Sequence, residues 1–448
     1  MSRSFRHDGA GTTAQEWTGR AEWGEVPLWD PLGADRPERV VVVAAHPDDE
    51  SLGAGGVIAT VRAAGIPVTL VVATAGEHSH PRSPTMTVTV LAQQRRREAE
   101  RAWAALGGDA DELTVWDLPD GSLTTHDKEL TGRLVATIGD GRATLLLAPY
   151  LEDGHPDHDA LGRAAQRAAY RTGATLLHYP VWLWHHADPG EVPWGPLRRV
   201  ALTASDRNAK VRAIACHRSQ VAPLSDRPGD ETLLSPSLIE HFTGPHETFV
   251  LGQPRDDALD DLHGEHLDPW GTTTRWYEQR KRRLLLAMLP RPRFTRALDL
   301  GCSTGTLTVE LAEFCDELIA VDSSPRALAA AATLTQGLRT VELRLGDLST
   351  ELPEGEFDLV VLSEAGYFLS PVVLDRLIAR IARVLTTDGC LVLAHWRHPI
   401  SGWPMSGPEV HARFARAQDL PPVAGRYLDR DVEIVVHAHQ ATLPNPQG

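Results

Sequence analysis

The chain has 448 residues, more than one ordinary α/β domain uses, so two large domains or three small ones are expected. Its 44 Lys and Arg against 60 Asp and Glu leave a formal charge of −16, which disfavours nucleic acid and anionic membrane surfaces as partners. No apolar run reaches the roughly 18–20 residues of a membrane span, the N-terminal stretch has no apolar signal core, and the four cysteines form no C-x-x-C pair; a cytoplasmic chain with reduced thiols is expected.

Residues 1–36 carry Trp17, Trp23 and Trp29 without helical or strand periodicity and read as an arm packed on the first domain. From Arg39 a β-α alternation begins: strand RVVVVAA, helix GGVIATVRAAG, strand PVTLVVATA and a helix over Val88–Leu106. Strand LTVWDLP, helix KELTGRLVATI, strand ATLLLAPY and helix HDALGRAAQRAAYR follow. Strands apolar on both faces, separated by helices, predict a largely parallel sheet covered on both sides.

Gly252–Asp268 contains six acids and one Arg with no apolar period, and residues 253–268 read as an acidic linker between a domain over 37–252 and another over 269–448. The second series comprises helix RWYEQRKRRLLLAML, strand RALDL, a helix from Gly305, strand ELIAV, helix PRALAAAATL and strand TVELRLG. Strand FDLVVLSE, helix VVLDRLIARIARVL, strand CLVLAHW and a last strand VEIVVHA complete it, with no separate seventh strand assigned. The fold class is therefore two tandem Rossmann-like three-layer α/β/α domains with largely parallel sheets.

The first strand ends in Ala45-His46-Pro47-Asp48-Asp49-Glu50 and the fourth in Gly154-His155-Pro156-Asp157-His158. Ligands of parallel sheets bind at such carboxyl ends. Two imidazoles, one carboxylate and an open position make a catalytic zinc set; a spare Asp48 can take the proton from water, and a spare His155 can stabilise or protonate the tetrahedral intermediate. Each string alone would also suit a solvated Asp/Pro turn.

These two strings resemble the signatures of the PIG-L/LmbE-like zinc N-deacetylases, which remove acetyl groups from N-acetylglucosaminyl compounds. The likeness extends over residues 37–252 through Thr74–Glu77, Arg95-x-x-Glu98, Leu118-Pro119-Asp120-Gly121 and Lys210…His217-x-Ser219-Gln220. It implies His46, Asp49 and His158 as zinc ligands, Asp48 as general base, His155 at the oxyanion and Arg95 against substrate hydroxyls. Some members carry a Tyr two residues before the first His of the second motif; here Asp153 stands there, so a Tyr-assisted oxyanion is not expected. Trp182, Trp184, His185, His186 and Trp194 fit either a sugar platform or packing, and His217, Ser219 and Gln220 either line the pocket or cap a helix.

In the second half, Ala297-Leu-Asp-Leu-Gly-Cys-Ser-Thr-Gly-Thr runs from strand through turn into helix, an arrangement that brings backbone N–H groups to a nucleotide. A dinucleotide site competes with it. Asp299, the acid Asp322 after the next strand and Asp347 after the third resemble class I S-adenosylmethionine-dependent methyltransferases, with Ser303 in place of the usual middle glycine. That likeness implies cofactor contacts from Tyr277, Asp299, Gly301, Ser303, Gly305, Asp322, Ser323, Asp347 and Leu348. Trp276-Tyr277-Glu278-x-Arg280-Lys281, Ser363-Glu364-x-x-Tyr367-Phe368 and Leu393-x-His395-Trp396-Arg397-His398 further resemble nodulation-type N-methyltransferases, over residues 268–440. Glu364, Tyr367, His395 and His398 at strand ends are candidates to hold the neutral amine, or else packing residues.

Hydrolysing an N-acyl group creates the amine an N-methyltransferase consumes. The expectation is a bifunctional enzyme that uses Zn2+ and S-adenosyl-L-methionine on a small amino-sugar substrate in specialised-metabolite biosynthesis, with homo-oligomerisation left open. Its rivals are an O-methyltransferase partner reaction, a thiol-conjugate amidase and a non-catalytic binding first domain.

Overall fold

The computed structural model describes residues 11–350 and 352–439. Contacts divide the chain into one unit of Met1–Tyr170 with Ala174–Arg255 and a second of Arg171–Gly173 with Asp256–Gly448.

In the first unit seven strands form one sheet: β1 (Arg39–Ala44), β2 (Val68–Thr74), β3 (Leu113–Leu118), β4 (Thr144–Pro149), β5 (Thr175–Tyr179), β6 (Leu197–Ala201) and β7 (His246–Leu251). Their spatial order is β3-β2-β1-β4-β5-β7-β6, parallel except for β7, which runs antiparallel to both of its neighbours. Val40–Ala44 and β4 are buried because both of their faces lie under helices, which is why they read as unbroken apolar runs. One core, around Val42, Leu70, Leu147 and Tyr179, fills one face, and another, around Val41, Leu134, Leu146 and Leu161, fills the other. β5, β6 and β7 lie beyond the strands expected from the sequence; they are short, and charges interrupt β6 and β7.

The described part of the N-terminal segment, read from the sequence as an arm packed on the first domain, contains helices that its pattern did not announce. Helices Ala14–Thr18 and Ala21–Glu25 form there, the first closed by a capping box between Thr13 and Glu16. Five residues are too few to show a period. Trp17 is buried, and its indole Nε1–H donates to the Trp184 carbonyl at 2.8 Å.

The second unit repeats the architecture with β8 (Phe294–Leu300), β9 (Cys315–Asp322), β10 (Val341–Leu345), β11 (Phe357–Ser363), β12 (Leu385–Trp396), β13 (Val423–Leu428) and β14 (Val432–His437). Their order, β10-β9-β8-β11-β12-β14-β13, matches the first sheet strand for strand, and β14 is again antiparallel. β13 is the strand the sequence left unassigned; it is a half-exposed edge partner of β14, without the apolar run of a central strand.

The acidic stretch needs a correction. It folds as helix Ala258–Glu265 within the second unit, and the division falls at Arg255/Asp256. Its acids work locally: the Asp260 carboxylate accepts the Ser324 hydroxyl at 2.6 Å, and His263 packs edge-on against Trp270 at 5.0 Å. Among the described residues no helix is long and apolar enough to cross a membrane.

Two features place the first-unit loops. β1 and β4 pair directly in parallel, Val40 opposite Leu145, so the segments leaving their carboxyl ends emerge side by side. Glu247 on β7 then fixes the helix Gly55–Ala63 behind the first loop, accepting the N–H groups of Gly56 and Val57 at 2.6 and 2.7 Å and the Lys210 ammonium at 2.7 Å. Lys210 is thus a structural member of its sequence motif. Replacing Glu247 by Ala strands a buried ammonium and two helix N–H groups. Urea titration of Glu247→Ala is expected to show the first unit destabilised by about 3–5 kcal/mol.

Candidate active sites

In the first unit both loops converge on a buried knot of imidazoles and carboxylates. His46 Nδ1 lies 3.6 Å from Asp49 Oδ2, and His46 Nε2 lies 3.1 Å from Asp120 Oδ1 and 3.3 Å from Asp157 Oδ2. His158 Nε2 lies 3.2 Å from the other Asp49 oxygen, while His158 Nδ1 is bonded to Asp153 Oδ2 at 2.7 Å. Nitrogens of His46, His155 and His158 come within 4.8 Å of one another, as do donor atoms of His46, Asp120 and Asp157.

Hydrogen bonding sorts the two histidines of the second motif. His155 Nδ1 accepts the Asp157 N–H at 3.2 Å, so the neutral ring carries its proton on Nε2 and is a donor. His158 is the reverse: Nδ1 donates to Asp153, and Nε2 is buried without a hydrogen-bond partner. A buried imidazole nitrogen that lies 3.2 Å from the Asp49 carboxylate without a hydrogen bond, its far nitrogen held by a second carboxylate, fits a metal ligand. His46, Asp49 and His158 therefore suit the expected ligand set, and His155 the donor role. Burial alone would lower the His158 pKa, but the Asp49 and Asp153 charges outweigh it and push it up to about 10. The site calls for a cation, and protons compete for it.

Asp48 stands beside the knot with a φ of 145°, a strained value for a non-glycine residue. Arg95 holds it there: Nη2 lies 3.1 Å from Asp48 Oδ2 and bonds the Pro47 carbonyl at 2.8 Å, while Nη1 bonds the Gly76 carbonyl at 2.9 Å. Arg95 is buried and lines the cleft, where its bonds to the loop position Asp48. Burial pushes the Asp48 carboxyl up and Arg95 pulls it back, leaving it at about 6, a suitable range for a general base near neutrality.

The cleft above is walled by Ser79, Val181, Trp182, Gln220, Leu233 and Leu234. Of the aromatic residues, only Trp182 faces it. Trp184 and Trp194 pack on Trp17, with ring centroids 4.9 and 5.9 Å away, and are core. His217 contacts the Ser51 hydroxyl at 3.1 Å, and Ser219 donates to Glu98 at 2.7 Å; both brace the loops, while Gln220 lines the cleft. Asp120, Asp153 and Asp157 have no assigned role in the sequence reading and join the site only in the fold. Asp120 and Asp157 stand inside quoted motifs, which was the available signal.

In the second unit the loop after β8 closes on Asp322. Asp322 Oδ2 accepts the Ser303 N–H at 2.8 Å and Oδ1 the Ser324 N–H at 2.9 Å, gathering the turn after β8 to the end of β9. Ser303 takes the left-handed φ of 50° that a glycine would adopt freely, and its buried hydroxyl has no partner. Gly301 and Gly305 also have left-handed φ, and a Cβ on Gly305 would come within 2.9 Å of the Ala331 Cβ. Ser323 is exposed beside Asp322; Asp347 accepts the Ser349 N–H at 2.7 Å, and Leu348 is buried next to it. Asp299 is sealed beneath the turn, where it accepts the Thr308 hydroxyl at 2.7 Å and anchors the loop, and burial raises it to about 6.

The acceptor candidates separate. Glu364, also at a left-handed φ of 57°, accepts the Tyr367 hydroxyl and lies 3.1 Å from the Lys281 ammonium, which also bonds Glu278 at 2.7 Å. The Lys281 Nζ sits 5.4 Å from the Tyr277 ring, whose buried hydroxyl has no partner. His395 does not join them as a base. Its Nε2 accepts the Gly366 N–H at 3.2 Å, its Nδ1 lies 3.2 Å from His411 Nε2, and burial lowers it to about 3. His398 is exposed and paired with Asp431 at 3.0 Å. Lys281 is the addition, quoted in a motif but assigned no role.

Residues 41–169 match the family model described as GlcNAc-PI de-N-acetylase (PIG-L), and residues 297–389 match the model described as methyltransferase domain. The chain joins a PIG-L-type deacetylase domain to a methyltransferase domain. A probable N-acetyl-alpha-D-glucosaminyl L-malate deacetylase 2 from Bacillus subtilis is 37% identical over 136 residues, 30% of this chain and 62% of that protein. Nodulation protein S from Sinorhizobium fredii is 28% identical over 127 residues, 28% of this chain and 59% of that protein. The chain thus spans about six tenths of the length of each. A crystal structure of the N-methyltransferase NodS from Bradyrhizobium japonicum WM9 with S-adenosyl-l-homocysteine aligns over 41% of this chain and all of that one, at 22% identity and a TM-score of 0.38.

The methyltransferase turn yields a direct test. Alanine at Gly305 must hold a left-handed φ and intrude on Ala331. Gly305→Ala is expected to destabilise the second unit by at least about 1–2 kcal/mol in urea titration, with the first unit unchanged.

Proposed function

We propose that this protein removes the N-acetyl group from an acetylated amino sugar or its conjugate and then N-methylates the exposed amine, in the cytoplasm, within specialised-metabolite biosynthesis. The observation that carries the hydrolytic half is the buried, unpartnered Nε2 of His158 facing His46 and Asp49, with Asp48 beside it. The deacetylase relative, whose printed name specifies an N-acetylglucosaminyl compound, supports the substrate class. Nodulation protein S and the covalent union of the two domains support the methylating half.

His46, Asp49 and His158 would hold a zinc ion, which would supply a Lewis acid able to acidify water and polarise the acyl carbonyl. Asp48, its carboxylate fixed by Arg95, takes the proton of the attacking water. His155 Nε2–H donates a hydrogen bond to the developing oxyanion, and the proton that Asp48 took from water passes to the departing amine. Trp182 and Gln220 wall the sugar side of the cleft.

S-adenosylmethionine supplies an electrophilic methyl group on sulfonium. Asp322 and the Gly301–Gly305 turn would hold its ribose and amino-acid portions, and Asp347 its adenine. Glu364, carrying Tyr367 and Lys281, draws the substrate ammonium in and accepts its proton, so that the lone pair is available in line with the methyl. This assignment leaves His395 as packing.

Product mass spectrometry on N-acetylglucosaminyl conjugates, with zinc and S-adenosylmethionine present, is expected to show free amine first and methylamine later. Asp48→Asn is expected to retain metal and to lose acetate release by at least about 100-fold, the scale of a general base, and full turnover in that variant contradicts its role. Glu364→Gln is expected to stop the series at the free amine. Free amine that is never methylated by the intact chain refutes the coupled function.

A further inference from the structure

Asp153 does more than orient one imidazole. Its buried carboxylate takes four donors: His158 Nδ1 at 2.7 Å, and the backbone N–H groups of Val181, Trp182 and Leu183 at 2.8, 2.9 and 2.9 Å. One oxygen, Oδ2, is shared between His158 and Trp182, while Oδ1 takes Val181 and Leu183. The three amides belong to the turn after β5, and Val181 and Trp182 form part of the cleft wall. Asp153 is only 1% exposed, so no water replaces a donor that leaves. Partners on one buried carboxylate therefore stand or fall together.

We infer that Asp153 is a positioning residue that links cation occupancy at His158 to the order of the Val181–Leu183 wall, so that the substrate cleft takes its shape when the cation is in place. The inference rests on the metal reading of the first site. A cation on His158 Nε2 makes Nδ1–H a stronger donor and tightens its bond to Asp153. The same carboxylate then holds the wall amides in a fixed position. By linkage, an ordered wall raises cation affinity by the factor with which the cation orders the wall. This gives the Tyr-to-Asp departure in the second motif a function: an acceptor that ties ligand to wall stands where some relatives place a hydroxyl.

The test uses the full-length chain, stripped of metal and titrated with Zn2+. It follows hydrogen–deuterium exchange of amides 181–183 and measures zinc affinity by competition with a chromophoric chelator. In the natural protein, zinc is expected to slow exchange at 181–183. Asp153→Asn is expected to bind zinc 10–100-fold more weakly and to leave those amides at their zinc-free rate even at saturation. His158→Gln, which keeps Asp153 and its backbone donors, covers the case in which Asp153→Asn does not fold: its zinc-free exchange at 181–183 should stay close to natural and should not respond to zinc. Zinc binding by the natural protein with unchanged exchange at 181–183 overturns the inference alone, as does Asp153→Asn with full affinity and response. A natural protein that binds no zinc overturns the metal reading first and the inference with it.

Discussion

The first unit is organised around an excess of buried carboxylate over buried cation. Asp49, Asp120, Asp153 and Asp157 all approach His46 or His158 within 3.6 Å, and Arg95 is committed to Asp48. Buried carboxylates persist only when hydrogen-bonded or paired. Part of the compensation is structural: Asp157 accepts the N–H groups of Gly121 and Leu123, and Asp153 those of the wall turn. The remainder falls on two imidazoles, whose proton affinity rises accordingly. A divalent ion satisfies the same demand and leaves a Lewis acid beside a base. Catalytic capacity and electrostatic necessity thus share one cause.

The two sheets share one strand order and carry different chemistries. In each, neighbouring parallel strands send their loops out on the same edge, and the loop contents decide what is bound. After β1 and β4 the loops carry His and Asp, which suit a cation. After β8 and β9 they carry glycine, Ser303 and Asp322, whose carboxylate ties the turn after β8 to the end of β9. Strained backbone marks both sites, at Asp48 in one and at Ser303 and Glu364 in the other.

The central strands, and with them the placement of both loop pairs, were legible because burial on both faces imposes apolar runs such as Val40–Ala45. The ligand motifs were legible because they are contiguous and sit at strand ends. Edge elements were not. β13 and the helix Ala258–Glu265 are stabilised by pairing to β14 and by the acid–hydroxyl contact of Asp260 with Ser324, neither of which leaves a local period. Asp153 was visible only as a departure: its function comes from donors 28–30 residues away, and no spacing rule reports that distance. His395 misled for the complementary reason. A strand-end histidine resembles a base until His411 and the Gly366 amide are seen to occupy its nitrogens.

In the proposed function the product of one unit is the acceptor of the other, and the chemistry of the amine joins them. An amide nitrogen has its lone pair delocalised into the carbonyl, whereas a deprotonated free amine presents it to an electrophile, and Glu364 is the proposed acceptor of that proton. The most direct measurement is transfer of isotope-labelled methyl from S-adenosylmethionine to a free amino sugar and to its N-acetyl form, using the Asp48→Asn protein so that no deacetylation intervenes. Label on the nitrogen of the free amine and none on the acetylated compound is the predicted result. Equal labelling of both, or label on oxygen, would contradict it.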